Sequence, residues 1–143
     1  MSILWPKSVE KNTTLYNYIE LRICWKVLKV VSAYLNNDKG IAGELHQMCR
    51  YTLSKMSEGG FHDHVGGGFF RYCVDETWDI PHFEKMLYDN GQLIKLMAEA
   101  GHYFARGDWM QRVKQSISWL SEQMQSEQAA YYSALDADSL NAD

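Results

Sequence analysis

The chain is short of cysteine, of charge of one sign and of long apolar runs, and each shortage excludes a class of protein. Its three cysteines are widely spaced and form no CxxC motif, so we expect reduced, structural thiols and a cytoplasmic protein. No apolar stretch approaches the roughly 20 residues that a membrane-spanning helix needs. The first six residues lack the charged and then apolar pattern of a signal peptide.

The charge and composition leave a globular domain. The net charge is −4, and lysines and arginines are scattered singly, which argues against a nucleic-acid groove. Hydrophobic residues make up 46% and aromatic residues 13% of the 143 positions, so the chain is neither disordered nor of low complexity. This length suits one domain with a real core.

Apolar periodicity predicts four helices, over residues 15–35, 41–56, 81–105 and 109–124. Gly59 and Gly60 are expected to end the second helix, Pro81 to begin the third and Asp108 to cap the fourth. Aromatic and β-branched residues predict a short strand over 69–74, and a second strand-like piece follows residue 129. Short connections imply antiparallel hairpins, so the prediction is an all-α array with irregular insertions.

On the predicted third helix, polar residues interrupt or border an apolar face. Asn90 lies in the middle of this face, where an unpartnered amide costs roughly 1–3 kcal/mol. It therefore either holds a neighbouring loop or points into a polar cavity. Lys85 and Asp89 are four residues apart, a spacing typical of a surface salt bridge.

His82 lies in the first turn of the same predicted helix. The positive end of the helix dipole favours a neutral imidazole, which can act as a base. The alternative is a histidine that packs on the preceding loop. Glu84 in this turn is explained by the dipole alone.

The loop before this helix contains three consecutive glycines, residues 66–68. They indicate a tight turn or a close approach to a phosphate, and the turn is favoured because no helix N-terminus or Lys-Ser/Thr pair follows. His62, Asp63 and His64 lack a third convergent ligand, so no metal site and no cofactor are predicted.

Arg71, Asp75 and Trp78 allow two interpretations. An arginine, a carboxylate and an indole can line a sugar-binding cleft, in which the ring stacks on the sugar and the charged groups bind hydroxyls. Alternatively, Arg71 and Asp75 form an ion pair that holds the loop.

Taken together, these residues resemble the signature of the thioredoxin-domain-containing, spermatogenesis-associated protein family. The resemblance covers roughly residues 40–140. Its motifs are Thr52-Leu53, Gly59-Gly60, Asp63, Gly66-Gly67-Gly68-Phe69, Arg71-Tyr72, Val74-Asp75, Trp78, Pro81-His82-Phe83-Glu84-Lys85-Met86-Leu87-Tyr88-Asp89-Asn90, Tyr132-Ser133-Ala134 and Asp136-Ala137-Asp138-Ser139.

The resemblance implies a fold larger than this chain. Members of the family resemble a thioredoxin-like domain followed by an (α/α)6 toroid, similar to six-hairpin glycosidases and N-acylglucosamine 2-epimerases. Residues 1–143 would then form an incomplete toroid domain, its first hairpins only, without the thioredoxin-like domain. An incomplete toroid is expected to expose an apolar edge and to self-associate through it.

The resemblance also implies a carbohydrate site, with epimerase-like or glycosidase-like chemistry that the residues leave open. His82 is expected to be the general acid/base and Asp89 or Glu84 its carboxylate partner. Substrate-positioning roles are expected for Arg71, Asp75, Trp78, Asn90, Asp136 and Asp138. The isolated fragment is expected to be inactive. The alternative is a non-catalytic segment that braces the toroid and docks the thioredoxin-like domain.

Overall fold

A computed structural model describes residues 39–75 and 77–137 of the chain. The first helix within them, α1, is Lys39–Glu58, which confirms the helix predicted over 41–56. At the end of α1, the Gly59 N–H donates a hydrogen bond of 3.0 Å to the Lys55 carbonyl. The helix predicted over 15–35 lies outside the described residues.

Two further helices form a hairpin. Helix α2 is Leu87–Tyr103, and helix α3 is Gly107–Trp119, which continues as a π-helical turn, Leu120–Met124. Only three residues join α2 to α3, so the two helices run in opposite directions and pack against each other. The N-cap of α3 is Arg106, and Asp108 lies in its first turn. The fourth predicted helix is therefore present and begins two residues earlier than expected, and the prediction that Asp108 caps it is wrong.

The prediction that a helix begins at Pro81 is wrong. Residues 81–86 form two short strands separated by a bend, and each strand pairs with another part of the chain. Strand β2, Pro81–His82, pairs antiparallel with β1, Tyr72–Cys73, and strand β3, Lys85–Met86, pairs antiparallel with β4, Ala134–Leu135. Proline is tolerated at the first position of an edge strand as well as at the first position of a helix. Here the pairing of Pro81 with Cys73 makes it the first residue of a strand. Tertiary pairing thus delays the start of α2 to Leu87.

One core joins the helices to the loop between α1 and α2. Its buried apolar residues come from α1, from the loop with its strand, from α2 and from α3: Cys49, Leu53 and Met56; Phe61, Phe69, Cys73 and Trp78; Leu93, Leu96, Met97 and Ala100; Trp109 and Val113. The loop therefore supplies as many core residues as a helix does. The described part of the chain is helix-rich with four short strands, so the expected helical hairpins with short β insertions are present in part, and the fold is mixed rather than purely α. The toroid stays a prediction.

The two described cysteines, Cys49 and Cys73, are both buried. Burial, together with the nearby Asp75 and Asp79, raises the pKa of the Cys73 thiol to about 12, so it remains protonated. Among residues 39–75 and 77–137, no helix has the length and apolar character needed to cross a bilayer.

Candidate functional site

Four of the residues singled out in the sequence lie together: Arg71, His82, Glu84 and Asp89, here called the acid–base cluster. An Arg71 Nη1 donates a hydrogen bond to Glu84 Oε2 at 2.7 Å, and the Arg71 backbone N–H donates to the Glu84 carbonyl at 2.7 Å. His82 Nδ1 lies 4.0 Å from the same Glu84 Oε2. The strand pairing of β1 with β2 brings these side chains to one place.

The His82 ring is held by a neighbour that the sequence did not single out. Tyr72 faces His82 across the β1–β2 pair, and the two rings stack with centroids 4.6 Å apart and planes at 17°. The side chain of His82 is 38% exposed, but its Nδ1 is buried and has no hydrogen-bond partner among the described residues. The imidazole is therefore fixed in orientation, with its buried Nδ1 beside the Glu84 carboxylate.

Asp89 completes the cluster from the first turn of α2. It is only 7% exposed, and its Oδ2 has no hydrogen-bond partner in the described part of the chain. Burial raises the pKa of Asp89; the Arg71 guanidinium opposes this shift and the Glu84 carboxylate adds to it. The cluster thus combines an imidazole and a carboxyl group, each with an unpartnered atom, beside an ion pair.

Lys85 has a different partner from the one predicted. Its ammonium, on a side chain only 4% exposed, donates to Asp63 Oδ2 at 2.7 Å and to the Gly67 carbonyl at 2.7 Å. The predicted Lys85–Asp89 salt bridge is wrong because Lys85 lies in β3 and not in a helix, so the i,i+4 geometry does not arise. Asp63 and Lys85 instead form a buried brace between the loop and β3.

Two of the three glycines allow the loop to lie against α3. Gly67 and Gly68 both have φ of +81°, in the left-handed region. A Cβ on Gly67 would lie 2.5 Å from the Gln115 carbonyl oxygen, and one on Gly68 would lie 2.7 Å from the Trp119 ring. These contacts are with protein, so the glycines form the tight turn that the sequence favoured.

Asn90 holds the same loop and is fully buried. Its Oδ1 accepts from the Phe69 N–H at 2.7 Å, and its Nδ2 donates to the Phe69 and Met86 carbonyls at 2.9 and 3.0 Å. All its capacity except one lone pair is used in these bonds. Of the two interpretations for this amide, the structure has the one in which it ties down a neighbouring loop.

The two other residues proposed to bind sugar beside Arg71 have local roles. The Asp75 carboxylate accepts hydrogen bonds from Thr77 and from the backbone N–H groups of Asp79 and Ile80, and these bonds lower its pKa. The alternative Arg71–Asp75 ion pair is wrong, since Arg71 pairs with Glu84. Trp78 is 8% exposed and packs edge-on against Phe61, with centroids 5.6 Å apart.

The sequence also predicts sugar-positioning roles for two carboxylates near the end of the chain, Asp136 and Asp138. Asp136 is exposed and directly follows β4. Asp138 lies outside the described residues. Residues 39–75 and 77–137 contain no group of three or more histidine, cysteine, aspartate or glutamate side chains arranged to hold a metal ion.

His62 is a buried titratable residue that the candidate site does not use. It is 1% exposed, and neither ring nitrogen has a hydrogen-bond partner among the described residues. Its ring packs edge-on against Phe69 and His64, at centroid distances of 4.9 and 5.2 Å. Burial first, and the Arg112 charge second, lower the pKa of His62 to about 3.

The sequence of the chain is similar to segments of much longer proteins. The chain is 38% identical over 112 residues, 78% of its length, to the uncharacterized protein B0495.5 of Caenorhabditis elegans. It is 40% identical to spermatogenesis-associated protein 20 of Homo sapiens and 41% identical to that of Rattus norvegicus, each over 93 residues, 65% of the chain. No family model matches the chain.

These relatives support the resemblance to the spermatogenesis-associated protein family. The chain spans only 12–15% of the length of the relatives named above. The thioredoxin-like domain and the glycosidase-like toroid are therefore expectations about the longer proteins, and so are their activity, substrates and partners.

Proposed function

We propose that this chain is a segment of a carbohydrate-active helical-toroid protein and supplies the proton-exchanging part of its saccharide site. The supporting observation is the acid–base cluster, in which His82 and Asp89 each present an unpartnered atom beside the Arg71–Glu84 ion pair. Sugar isomerisation and glycosidic cleavage both require a general acid and a general base in one site.

Each member of the cluster has a distinct role in this proposal. His82, half-exposed and stacked on Tyr72, is the general acid/base that reaches the sugar. Glu84 is its carboxyl partner, since Glu84 Oε2 lies 4.0 Å from His82 Nδ1, and Asp89 is a second carboxyl group within electrostatic reach of Arg71 and Glu84. Arg71 retains N–H groups beyond the one that bonds Glu84, and these are suited to sugar hydroxyls.

The aromatic platform of the proposed site is Tyr88 rather than Trp78. Trp78 belongs to the core, whereas Tyr88 is 50% exposed and lies within electrostatic reach of Arg71. Its position next to Asp89 in the first turn of α2 lets its ring border the cluster. An exposed tyrosine ring beside charged groups is suited to stacking on the apolar face of a sugar.

A second candidate is a bracing segment without catalysis, which docks a thioredoxin-like domain of the longer protein. It is favoured by the Lys85–Asp63 pair and by the bonds from Asn90 to Phe69, which fix the loop on β3 and α2. In this candidate the signature residues serve stability, and their loss affects folding alone.

The test is a saccharide-binding screen on a full-length relative, followed by alanine replacement of the histidine equivalent to His82. We expect a variant that stays folded and loses sugar turnover. The isolated 143-residue chain is expected to turn over no sugar, because a toroid site draws residues from several helices. A variant that no longer folds, or one that folds and keeps its sugar turnover, would favour the bracing segment.

A further inference from the structure

The pairing of β1 with β2 sets the orientation of the His82 ring. Tyr72 and His82 lie directly opposite each other in this pair. The next residue of β1, Cys73, is buried in the core, so the alternation of side chains along a strand places Tyr72, and His82 with it, on the opposite face. The two rings stack with centroids 4.6 Å apart and planes at 17°. This stack fixes the plane of the imidazole, but it allows a half-turn of the ring about the Cβ–Cγ bond, which exchanges Nδ1 with a carbon.

Glu84 decides between the two orientations that the stack allows. Nδ1 of His82 lies 4.0 Å from Glu84 Oε2, and of the two ring nitrogens only Nδ1 is buried without a hydrogen-bond partner in the described part of the chain. This separation is longer than a hydrogen bond, so the carboxylate acts on the ring through its charge. A proton on Nδ1 is attracted by that charge, whereas a lone pair on Nδ1 is repelled by it.

Glu84 is itself held through both its side chain and its backbone. Arg71 Nη1 donates a hydrogen bond to Glu84 Oε2 at 2.7 Å, and the Arg71 backbone N–H donates to the Glu84 carbonyl at 2.7 Å. The Glu84 side chain is only 19% exposed. The carboxylate that faces the imidazole therefore has little freedom to turn away from it.

We propose that Tyr72 and Glu84 are positioning residues for His82, and that Nε2 is the ring atom that exchanges a proton with the ligand. Tyr72 fixes the plane of the ring, and Glu84 keeps the proton of the neutral ring on Nδ1. Nε2 then carries the lone pair. In the base step, the proton of a sugar O–H or C–H bond passes to Nε2, the bonding electrons stay on the sugar, and Glu84 stabilises the imidazolium. This step rests on the proposed function; the orientation and the tautomer of the ring do not.

His62 is a contrasting histidine in the same chain. Its ring meets Phe69 and His64 edge-on rather than in a stack, and both of its nitrogens are buried. It is 1% exposed, whereas the side chain of His82 is 38% exposed. His62 therefore packs in the interior and serves as an internal control for a histidine that is presented at the surface.

The first experiment determines the tautomer of His82 from the nitrogen NMR shifts of its ring in the 143-residue chain, at about pH 8.5, where an ordinary imidazole is neutral. His82→Gln assigns the signals. We expect the proton on Nδ1 in the wild type, in contrast to free histidine, whose neutral ring favours the proton on Nε2. Glu84→Gln removes the charge and should lower the ratio of the Nδ1–H form to the Nε2–H form several-fold. The matched control, Glu122→Gln at an exposed position, should leave this ratio unchanged, and neither variant should move the His62 signals.

The second experiment tests the stack through the NMR order parameter of the His82 ring. Tyr72→Phe retains an aromatic ring and should leave this order parameter unchanged. Tyr72→Val retains a residue suited to a strand but has no ring, so it should lower the order parameter toward that of the exposed His102. Retention in the phenylalanine variant and loss in the valine variant distinguish stacking from a general need for a strand-forming residue.

Three results would overturn the proposal: a proton on Nε2 in the neutral wild-type ring, an unchanged tautomer ratio in Glu84→Gln, or an unchanged order parameter in Tyr72→Val. If a variant does not fold, the wild-type tautomer and the order of the His82 ring relative to that of His102 still decide. Saccharide turnover by a full-length relative is measured separately. Its absence would remove the proposed function while leaving both NMR results as expected.

Discussion

The ammonium of Lys85 lies 2.7 Å from the carboxylate of Asp63, which is 22 positions earlier in the chain. The ammonium also lies 4.9 Å from the ring centroids of both Phe70 and Trp119. This one contact connects the glycine turn, strand β3 and the end of α3. A buried charge held in this way is costly to leave unpaired.

Loss of the Asp63 carboxylate should therefore destabilise the chain strongly. We expect Asp63→Ala to lower the free energy of unfolding by about 3–5 kcal/mol, since it leaves the Lys85 charge buried without its partner. Urea unfolding followed by circular dichroism measures this. The control is Glu122→Ala at an exposed position, expected to stay within about 0.5 kcal/mol of wild type. Equal effects of the two changes would contradict the brace.

Gly68 and Gly91 should respond to alanine in opposite ways. At Gly68 the new methyl group meets the Trp119 ring at 2.7 Å and the backbone has φ of +81°, so we expect a loss of at least about 2 kcal/mol. At Gly91, inside α2, nothing lies within 4 Å of the new Cβ. There the higher helix propensity of alanine should stabilise the chain by up to about 1 kcal/mol. Thermal unfolding of both variants checks the pair, and a stable Gly68→Ala would refute the close approach.

Replacement of Asn90 should separate its donor and acceptor roles. Asn90→Leu leaves the Phe69 N–H and carbonyl unpaired in the core, at a cost of about 1–3 kcal/mol for each group. Asn90→Asp keeps the acceptor for the Phe69 N–H and loses the donor to its carbonyl. Hydrogen exchange of the Phe69 amide is the readout: we expect fast exchange in the first variant and retained protection in the second, provided both remain folded.

His62 should make stability depend on pH. Its pKa is about 3 in the folded chain and close to 6.5 when unfolded, so below pH 6.5 the unfolded state binds a proton that the folded state excludes. Stability from this residue is complete above pH 6.5 and falls toward pH 3, by at most about 1.4 kcal/mol per pH unit. Denaturant unfolding between pH 4.5 and 6.5 measures the slope. His62→Leu should flatten it whatever its effect on overall stability; an unchanged slope would contradict this assignment.

Local sequence signals predicted the elements that depend on local periodicity. Helix α1 and its glycine stop follow from apolar spacing, and so does the existence of the α2–α3 hairpin. The predicted start of α2 is wrong because Pro81 suits both a helix and a strand. Pairing with β1, which lies earlier in the chain, makes Pro81 part of a strand. The apolar periodicity of residues 81–105 does not reveal this strand pairing.

The sequence predicted some residues of the candidate site and misplaced or missed others. Arg71, His82, Glu84 and Asp89 were all named from the sequence, and the structure brings them together. Asp75 and Trp78 were placed with them because their residue types suit sugar binding, but a turn and the core use them instead. Tyr72 was missed since its contact with His82 depends on strand register, which one short sequence segment does not reveal.

The double pairing of residues 81–86 has a consequence for how this region assembles. One end of the segment pairs with β1 nearby, but its other end pairs with β4, which lies beyond the whole α2–α3 hairpin in the chain. Forming such a distant contact costs more chain entropy, because it closes a longer loop, than forming either helix. The α2–α3 hairpin should therefore fold before β3 and β4 meet, and the stretch carrying His82 and Glu84 would be fixed at both ends among the last events of folding.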